Sequence, residues 1–494
     1  MIRIFTPDNV HINKKNFCAL FELQDKHLIS LESHSELTAL KLREGDYSDQ
    51  LLSSNHIDAR YESIQVDEDD VLPEFLNFII PAAIRNNETT EIEFLKKKYL
   101  RHWENCKLVA KFWKAYWANY FEINSYDLIV VFSGCRIYQK MALNLAIEKG
   151  IKCFTTEHLF TGNEFFFVEN DIAPNNISYI KNINAFKYYW PDAEKILARK
   201  NNKNVKSSGV ATYIAKDRPV ALILGQVVND YSILCNKTFN KLSAIQVYKD
   251  VIKKLAELDI KIVFKAHPYE NEKINIRESL TKNALTKYLN DNDLNDRVEI
   301  VENVNLELLY EQANWVITIC SQSGLEACEW GLKPILLGSA FYDSYGFTET
   351  ANVNDLIPLI RGNLDGLYLN PDEFLRYRQF LSGLLLGYSC NNKEIEKIYS
   401  YLQGGDFTNA NIYKEKALVA DLVTNNEGKI KAIKTKKETK STDAKNNIKH
   451  PLQSEKMSRR QRLWRKFKKS PKLYLEDSKI GFFRFLGKHL PGKS

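Results

Sequence analysis

Short apolar runs that close on glycine and lead into helical periodicity constrain this chain more than any other feature. Tyr126 to Phe132 is such a run, ended by Ser133-Gly134; helical spacing follows to about Lys149, Gly150 stops it, and Ile151 to Thr155 is a second run. Strand, glycine turn, helix, glycine and strand make a βαβ unit, whose strands lie parallel in one sheet. The alternation returns downstream. Val220 to Leu224 leads into Gly225-Gln226-Val227-Val228-Asn229-Asp230, a helix is expected over roughly Asn240 to Leu258, and Lys261 to Lys265 ends in Ala266-His267-Pro268. Val298 to Val301, Trp315 to Ile319 and Pro334 to Leu337 are further strands, with a short helix starting near Ser323. A chain of 494 residues is too long for one ordinary domain and suits two doubly wound α/β domains with appendages.

The polar stretch near Asn201 to Ser208 separates the two patterns, giving expected domains at 1–205 and 206–424. From about Asn425 to Lys456 periodicity is lost in Lys, Thr and Asn, which reads as a solvated linker over 425–456. The segment 457–494 is strongly basic with apolar residues interleaved: Leu463, Trp464 and Phe467 share one helical face among cations, and Ile480, Phe482, Phe483, Phe485 and Leu486 follow. Cations with aromatic anchors read as a tail that meets an anionic membrane surface; RNA or a partner protein is the rival. Glu91 to Phe121 reads as one long helix whose Trp103, Trp113 and Trp117 pack in a core.

Composition removes several function classes. The formal charge of +7 owes much to the tail, so the near-neutral body gives no nucleic-acid footprint. Eight scattered cysteines, with no CxxC pair and no accompanying histidine cluster, indicate neither a disulfide framework nor a zinc site, and reduced, cytosolic usage. The start, Met1-Ile2-Arg3-Ile4-Phe5, is not followed by a signal-peptide apolar region, and no apolar run reaches the roughly 18 residues of a spanning helix. The expected place is the cytoplasm, peripheral at the inner face of the membrane.

Chemistry is expected at the carboxyl ends of the strands, where open α/β sheets place their ligands. In Ser321-Gln322-Ser323-Gly324-Leu325-Glu326-Ala327, small residues would let a phosphate approach the backbone at a helix start. The plainer reading is a capped helix, with Ser323 as cap and Glu326 three residues on. Pro268 fixes the chain direction at His267, which is either a strand-end structural histidine or a catalytic one. Asp230 can serve as nucleophile, base or ribose ligand, or only as a turn residue. Glu157, in the loop after the Ile151 to Thr155 strand, is a strand-end acid of the first half. These residues converge if the two halves face one cleft.

The motifs as a set resemble the bacterial capsule polysaccharide synthesis family, including its retaining β-Kdo transferases. The resemblance rests on Gly225 to Asp230, Phe264-Lys265-Ala266-His267-Pro268-Tyr269-Glu270, Ser321 to Ala327, Gly331-Leu332-Lys333-Pro334, Gly338-Ser339-Ala340-Phe341-Tyr342 and Gly346-Phe347-Thr348. Ser133-Gly134 and Thr156-Glu157-His158 match in the first half, and the order holds over about residues 126 to 350. One departure is Ser133, where the family has asparagine before the glycine. The resemblance implies a GT-B-like α/β fold of two Rossmann-type domains facing one cleft. It implies a CMP-linked donor of 3-deoxy-D-manno-octulosonic acid (Kdo), transferred to a capsule or lipopolysaccharide acceptor with retention, through a covalent adduct on Asp230. Glu157 and His267 complete the implied catalytic set. Gly134, Gln226, Lys265, Pro268, Ser321, Ser323, Gly324 and Glu326 are the implied donor-binding set. Neither a metal nor a resident cofactor is expected. A transferase of the same fold using another nucleotide sugar, and a non-catalytic assembly or export protein, are the alternatives.

Overall fold

A computed structural model of the chain describes residues 1–34, 63–173, 190–198, 218–235, 243–271, 276 and 278–404. The linker at 425–456 and the basic tail at 457–494 lie outside the described residues. The strands are β1 (Ile2–Thr6), β2 (Ile29–Ser33), β3 (Leu128–Phe132), β4 (Lys152–His158), β5 (Glu164–Glu169), β6 (Val220–Leu224), β7 (Lys261–Lys265), β8 (Val298–Val301), β9 (Trp315–Thr318), β10 (Ile335–Leu336), β11 (Glu349–Thr350) and β12 (Ser389–Asn391). Among the described residues they form two six-stranded sheets, ordered β12-β5-β4-β3-β1-β2 and β11-β10-β9-β6-β7-β8. The second sheet is parallel throughout. Counted from β6 its order is 3-2-1-4-5-6, the doubly wound dinucleotide-domain order, which reverses between β6 and β9. The two-domain α/β, GT-B-like architecture expected from the sequence is the one observed.

The local reasons are visible in the residues. Val-Ala-Leu-Ile-Leu of β6 is buried at all five positions, as a strand covered by helices on both faces must be. The helix Ala244–Leu255 begins at Ser243, whose hydroxyl accepts from the Gln246 N–H, and it buries one apolar face. Trp103, Trp113 and Trp117 are buried as core, with the Trp117 indole donating to the Tyr138 carbonyl at 3.1 Å. The single helix expected there is two, Ile92–Lys98 and Leu100–Ile123, broken where Tyr99 leaves helical dihedrals. No described helix is long and apolar enough to cross a membrane.

The first half departs further from expectation. Its β2-β1-β3-β4 core is parallel, but β5 and β12 add antiparallel strands at one edge. The hairpin with β5 lengthens β4, so Glu157 and His158 are strand residues opposite Phe166 and Phe165, not members of a following loop. The boundary at 206–424 also needs correction. After the helix Pro371–Ser382 and a π-helical turn at Gly383–Tyr388, β12 pairs with β5 and the helix Ile395–Leu402 buries Ile398 and Leu402 beside Leu20 and Phe17. The pairing of Ser389 with Phe166 and of Cys390 with Phe165 fixes this return. Apolar packing also crosses between the halves: Val227, Val228 and Ile245 share a core with Phe75, Leu76 and Trp113.

Candidate active site

Register brings the loops of the second half together. Leu224 pairs with Lys265 on one side and Thr318 on the other, so the segments after β6, β7 and β9 leave one sheet edge side by side. Gly225 has to be glycine, because a Cβ there would stand 2.7 Å from Phe264 Cζ and 2.8 Å from the Lys265 carbonyl oxygen. In the first half, Phe132 pairs with Thr156, which sets the Ser133-Gly134 turn beside Glu157. Ser133 and Gly134 both lie in the left-handed region, at φ 63° and 80°. Asparagine tolerates that region better than serine, which gives the family's asparagine a physical reason.

The two halves meet at these ends. The Gln322 side-chain oxygen accepts from the Phe160 N–H at 2.8 Å. Asn77 donates to the Asn229 carbonyl at 2.7 Å, and Asn229 donates to the Asn77 carbonyl at 2.8 Å. This reciprocal pair ties the helix Glu68–Arg85 to the segment that carries Asp230. Burial pushes the Glu157 carboxyl up to about 8, and the charge of Asp230 adds to the rise. The two acids therefore sense each other across the junction. Asp230 caps the helical turn Tyr231–Leu234, its carboxylate accepting from the Ser232 N–H at 2.9 Å. The turn reading holds, and the cap engages only one of the two carboxylate oxygens.

The remaining expected residues divide into two groups. His267 is half-buried, and its Nδ1 accepts from the Tyr269 N–H at 3.2 Å, so a neutral ring carries its proton on Nε2. Pro268 is exposed beside it. Ser321, not Ser323, caps the helix Gln322–Ala327, accepting from the Ser323 N–H at 3.2 Å, and Glu326 is half-buried one turn on. The Ser321 carbonyl accepts from the Tyr342 hydroxyl at 2.5 Å. A Cβ on Gly324 would collide with that hydroxyl and lie 3.0 Å from Thr318 Cγ2, so protein packing alone explains this glycine. Gln226 and Lys265 are turned to internal work. The Gln226 side chain accepts from the Cys320 N–H at 3.0 Å and donates to Ser232 Oγ at 3.2 Å, which joins the β6 and β9 loops. Lys265 donates to the neighbouring Ala266 carbonyl at 2.8 Å; burial lowers its ammonium to about 8, opposed by Glu302.

Two residues escaped the sequence reading. Asn229 is fully buried, and nothing in a lone Asn-Asp pair announces its partner Asn77, 152 residues away. Glu270 is buried and accepts from the Thr281 N–H at 2.9 Å, the Thr281 hydroxyl and the Val228 N–H at 3.4 Å. It clamps the loop that leads to Asp230. Its place in the Ala266-His267-Pro268-Tyr269-Glu270 motif was the available signal. No group of three or more potential metal ligands occurs among the described residues.

Comparison with known proteins agrees at the family level. Residues 166–357 match the family described as capsule polysaccharide biosynthesis protein, which bears out the resemblance carried by the motifs. No curated protein matches the chain. Solved structures similar to it include the β-Kdo 2,4-transferase of Thermosulfurimonas dismutans KpsC, at 15% identity and TM-score 0.38, covering 56% of this chain and 87% of that one. The β-Kdo 2,7-transferase of the same KpsC stands at 16% identity and TM-score 0.36, covering 58% and 88%. Staphylococcus aureus MnaA bound to UDP stands at 10% identity and TM-score 0.32, covering 85% and 100%.

Proposed function

We propose that this chain is a retaining, metal-independent β-Kdo glycosyltransferase acting from CMP-β-Kdo on a surface glycan or glycolipid acceptor. The observation that carries the reading is the meeting of the halves where strand β4 brings Glu157 and the loop after β6 brings Asp230, with burial and the charge of Asp230 raising the Glu157 carboxyl to about 8. Two carboxyl groups in unlike environments are the arrangement that separates an acid–base role from a nucleophilic one. In the first step the Asp230 carboxylate attacks the anomeric carbon. The bond to the phosphate oxygen breaks, CMP departs with the electron pair, and Glu157 gives its proton to that oxygen. Esterification removes the Asp230 charge, one of the two causes that raise Glu157. Glu157 is then a carboxylate with a stronger tendency to stay ionised, and it takes the proton of the acceptor hydroxyl as that oxygen attacks and Asp230 leaves. The His267 ring and the Ser321 to Gly324 turn would receive the phosphate. The basic segment 457–494 would hold the enzyme at the anionic inner face of the membrane, where a lipid-linked acceptor resides.

The test is a donor panel of CMP-β-Kdo, CMP-sialic acid, and UDP- and GDP-sugars, read by nucleotide release in chelator and by intact mass. The expected result is CMP release from CMP-β-Kdo alone, with a Kdo adduct mapped to Asp230. Turnover of only a UDP- or GDP-sugar, or a requirement for added metal, would replace the reading with another transferase of the fold.

A further inference from the structure

The halves also meet through sulfur. Cys135 follows the Ser133-Gly134 turn of the first half, and Cys235 ends the helical turn that Asp230 begins in the second. Their Sγ atoms lie 3.2 Å apart, although 100 residues separate them in sequence. Both are free thiols, Cys135 buried and Cys235 half-buried, and both line a cavity of about 580 Å³ between the halves. Asp70, Lys140 and Asp171 give that cavity a polar side.

We propose that Cys135 and Cys235 form a dithiol site that closes, by exchange with a low-molecular-weight disulfide, into a reversible cross-link between the two halves. A disulfide bond is about 2.05 Å long, so closure asks the sulfurs to approach by roughly 1 Å, within reach of side-chain rotation. The order of events follows from exposure. The thiolate of Cys235, the more accessible sulfur, attacks one sulfur of the small disulfide, whose other half leaves as a thiolate. Cys135 then loses its proton to water and attacks the Cys235 sulfur, expelling the second small thiolate. The protein dithiol is oxidised and the small disulfide is reduced to two thiols. Burial holds the Cys135 thiol well above its ordinary value, with the bond from Cys235 adding to this, so the second step governs the rate and quickens as pH rises.

The full-length protein is treated with hydroxyethyl disulfide and read by thiol titration, intact mass and peptide mapping. Beyond a cap on the exposed Cys18, two further titratable thiols should be lost with no second cap, the pair lighter by two hydrogens, and one peptide pair should join Cys135 to Cys235. The thermal midpoint should rise by about 5 °C, because a cross-link spanning so long a loop restricts the unfolded chain. Dithiothreitol should reverse all of these changes. The Cys135→Ser protein should instead hold a mixed disulfide on Cys235. Unreacted Cys135 and Cys235, or separate caps on the two with no joined peptide, in natively folded protein would overturn the proposal. The main readout uses the unsubstituted chain, so no variant has to fold for the answer to stand.

Discussion

The two sheets take opposite routes to the same site. The second is parallel throughout, and each strand reaches the site directly through the loop at its carboxyl end. The first is mixed, and its acid Glu157 is delivered inside a strand, by a hairpin whose other arm is covered by β12. One half offers turns held by hydrogen bonds and the other a strand held by its hairpin partner. Under the proposed function, that difference would set a nucleophile in a turn against an acid–base group whose affinity for protons its partly buried strand site raises.

Removing the turn-borne acid should have the largest effect. Asp230→Asn is expected to fold normally and to lower turnover by several orders of magnitude, as when a covalent nucleophile is lost. Near-normal transfer by the folded variant would strip the second half of its chemical role. Glu157→Gln should cost less, about 10²- to 10³-fold, because the leaving phosphate is no longer protonated and the acceptor no longer deprotonated. Steady-state turnover of that variant reads the outcome, and a near-parent rate would break the assignment.

Glu157 also makes a pH prediction about its strand. Its carboxyl is held at about 8 in the folded chain against an ordinary value of 4.5. The unfolded chain therefore ionises first as pH rises, and the folded state loses stability between those two values. Glu157→Gln should be more stable relative to the parent at pH 9 than at pH 5. Thermal midpoints across that range check the sign, and parallel curves would show that the residue is not buried as described.

The junction should respond more modestly. Asn77→Ala takes the side-chain donor from the buried Asn229 backbone carbonyl, at a cost of about 1–3 kcal/mol. Asn229→Ala should cost a similar amount, because its own amide serves the Asn77 backbone carbonyl, which the first change leaves in place. Denaturant unfolding of the two variants measures this, and a loss of stability in neither would mean that the halves are not tied there. The smallest effect on catalysis should come from deleting 457–494. Turnover on a soluble acceptor should be unchanged, while flotation with anionic liposomes falls. Equal flotation would leave the tail to a protein partner.

The same contrast explains what was legible in the sequence. Parallel strands buried on both faces are continuous apolar runs, so β3, β6, β7 and β9 stand out, and the loops after them could be read as candidates. Antiparallel edge strands carry a weaker local signal. Glu164 to Glu169 is a strand through its pairing with β4, and Ser389 to Asn391 becomes one by pairing with it across 220 residues of sequence. Gln226 and Lys265 were placed on the right edge, but residue type does not reveal direction. Each side chain turned inward because its polar end found an internal partner in Cys320 or Ala266. The reciprocal Asn77 and Asn229 bonds belong to tertiary structure alone.

The return of β12 to the first sheet has a consequence for the order of assembly. The first sheet is discontinuous in sequence, and the whole second half is spliced into it between β5 and β12. A ribosome therefore delivers the edge-covering strand only after the second half has emerged. Until then β5 presents an open edge, the kind of surface that invites pairing with another chain. The second half, contiguous and rich in near-neighbour crossovers, can mature first. The split sheet then closes around a partner already formed, so the two walls of the site are completed together.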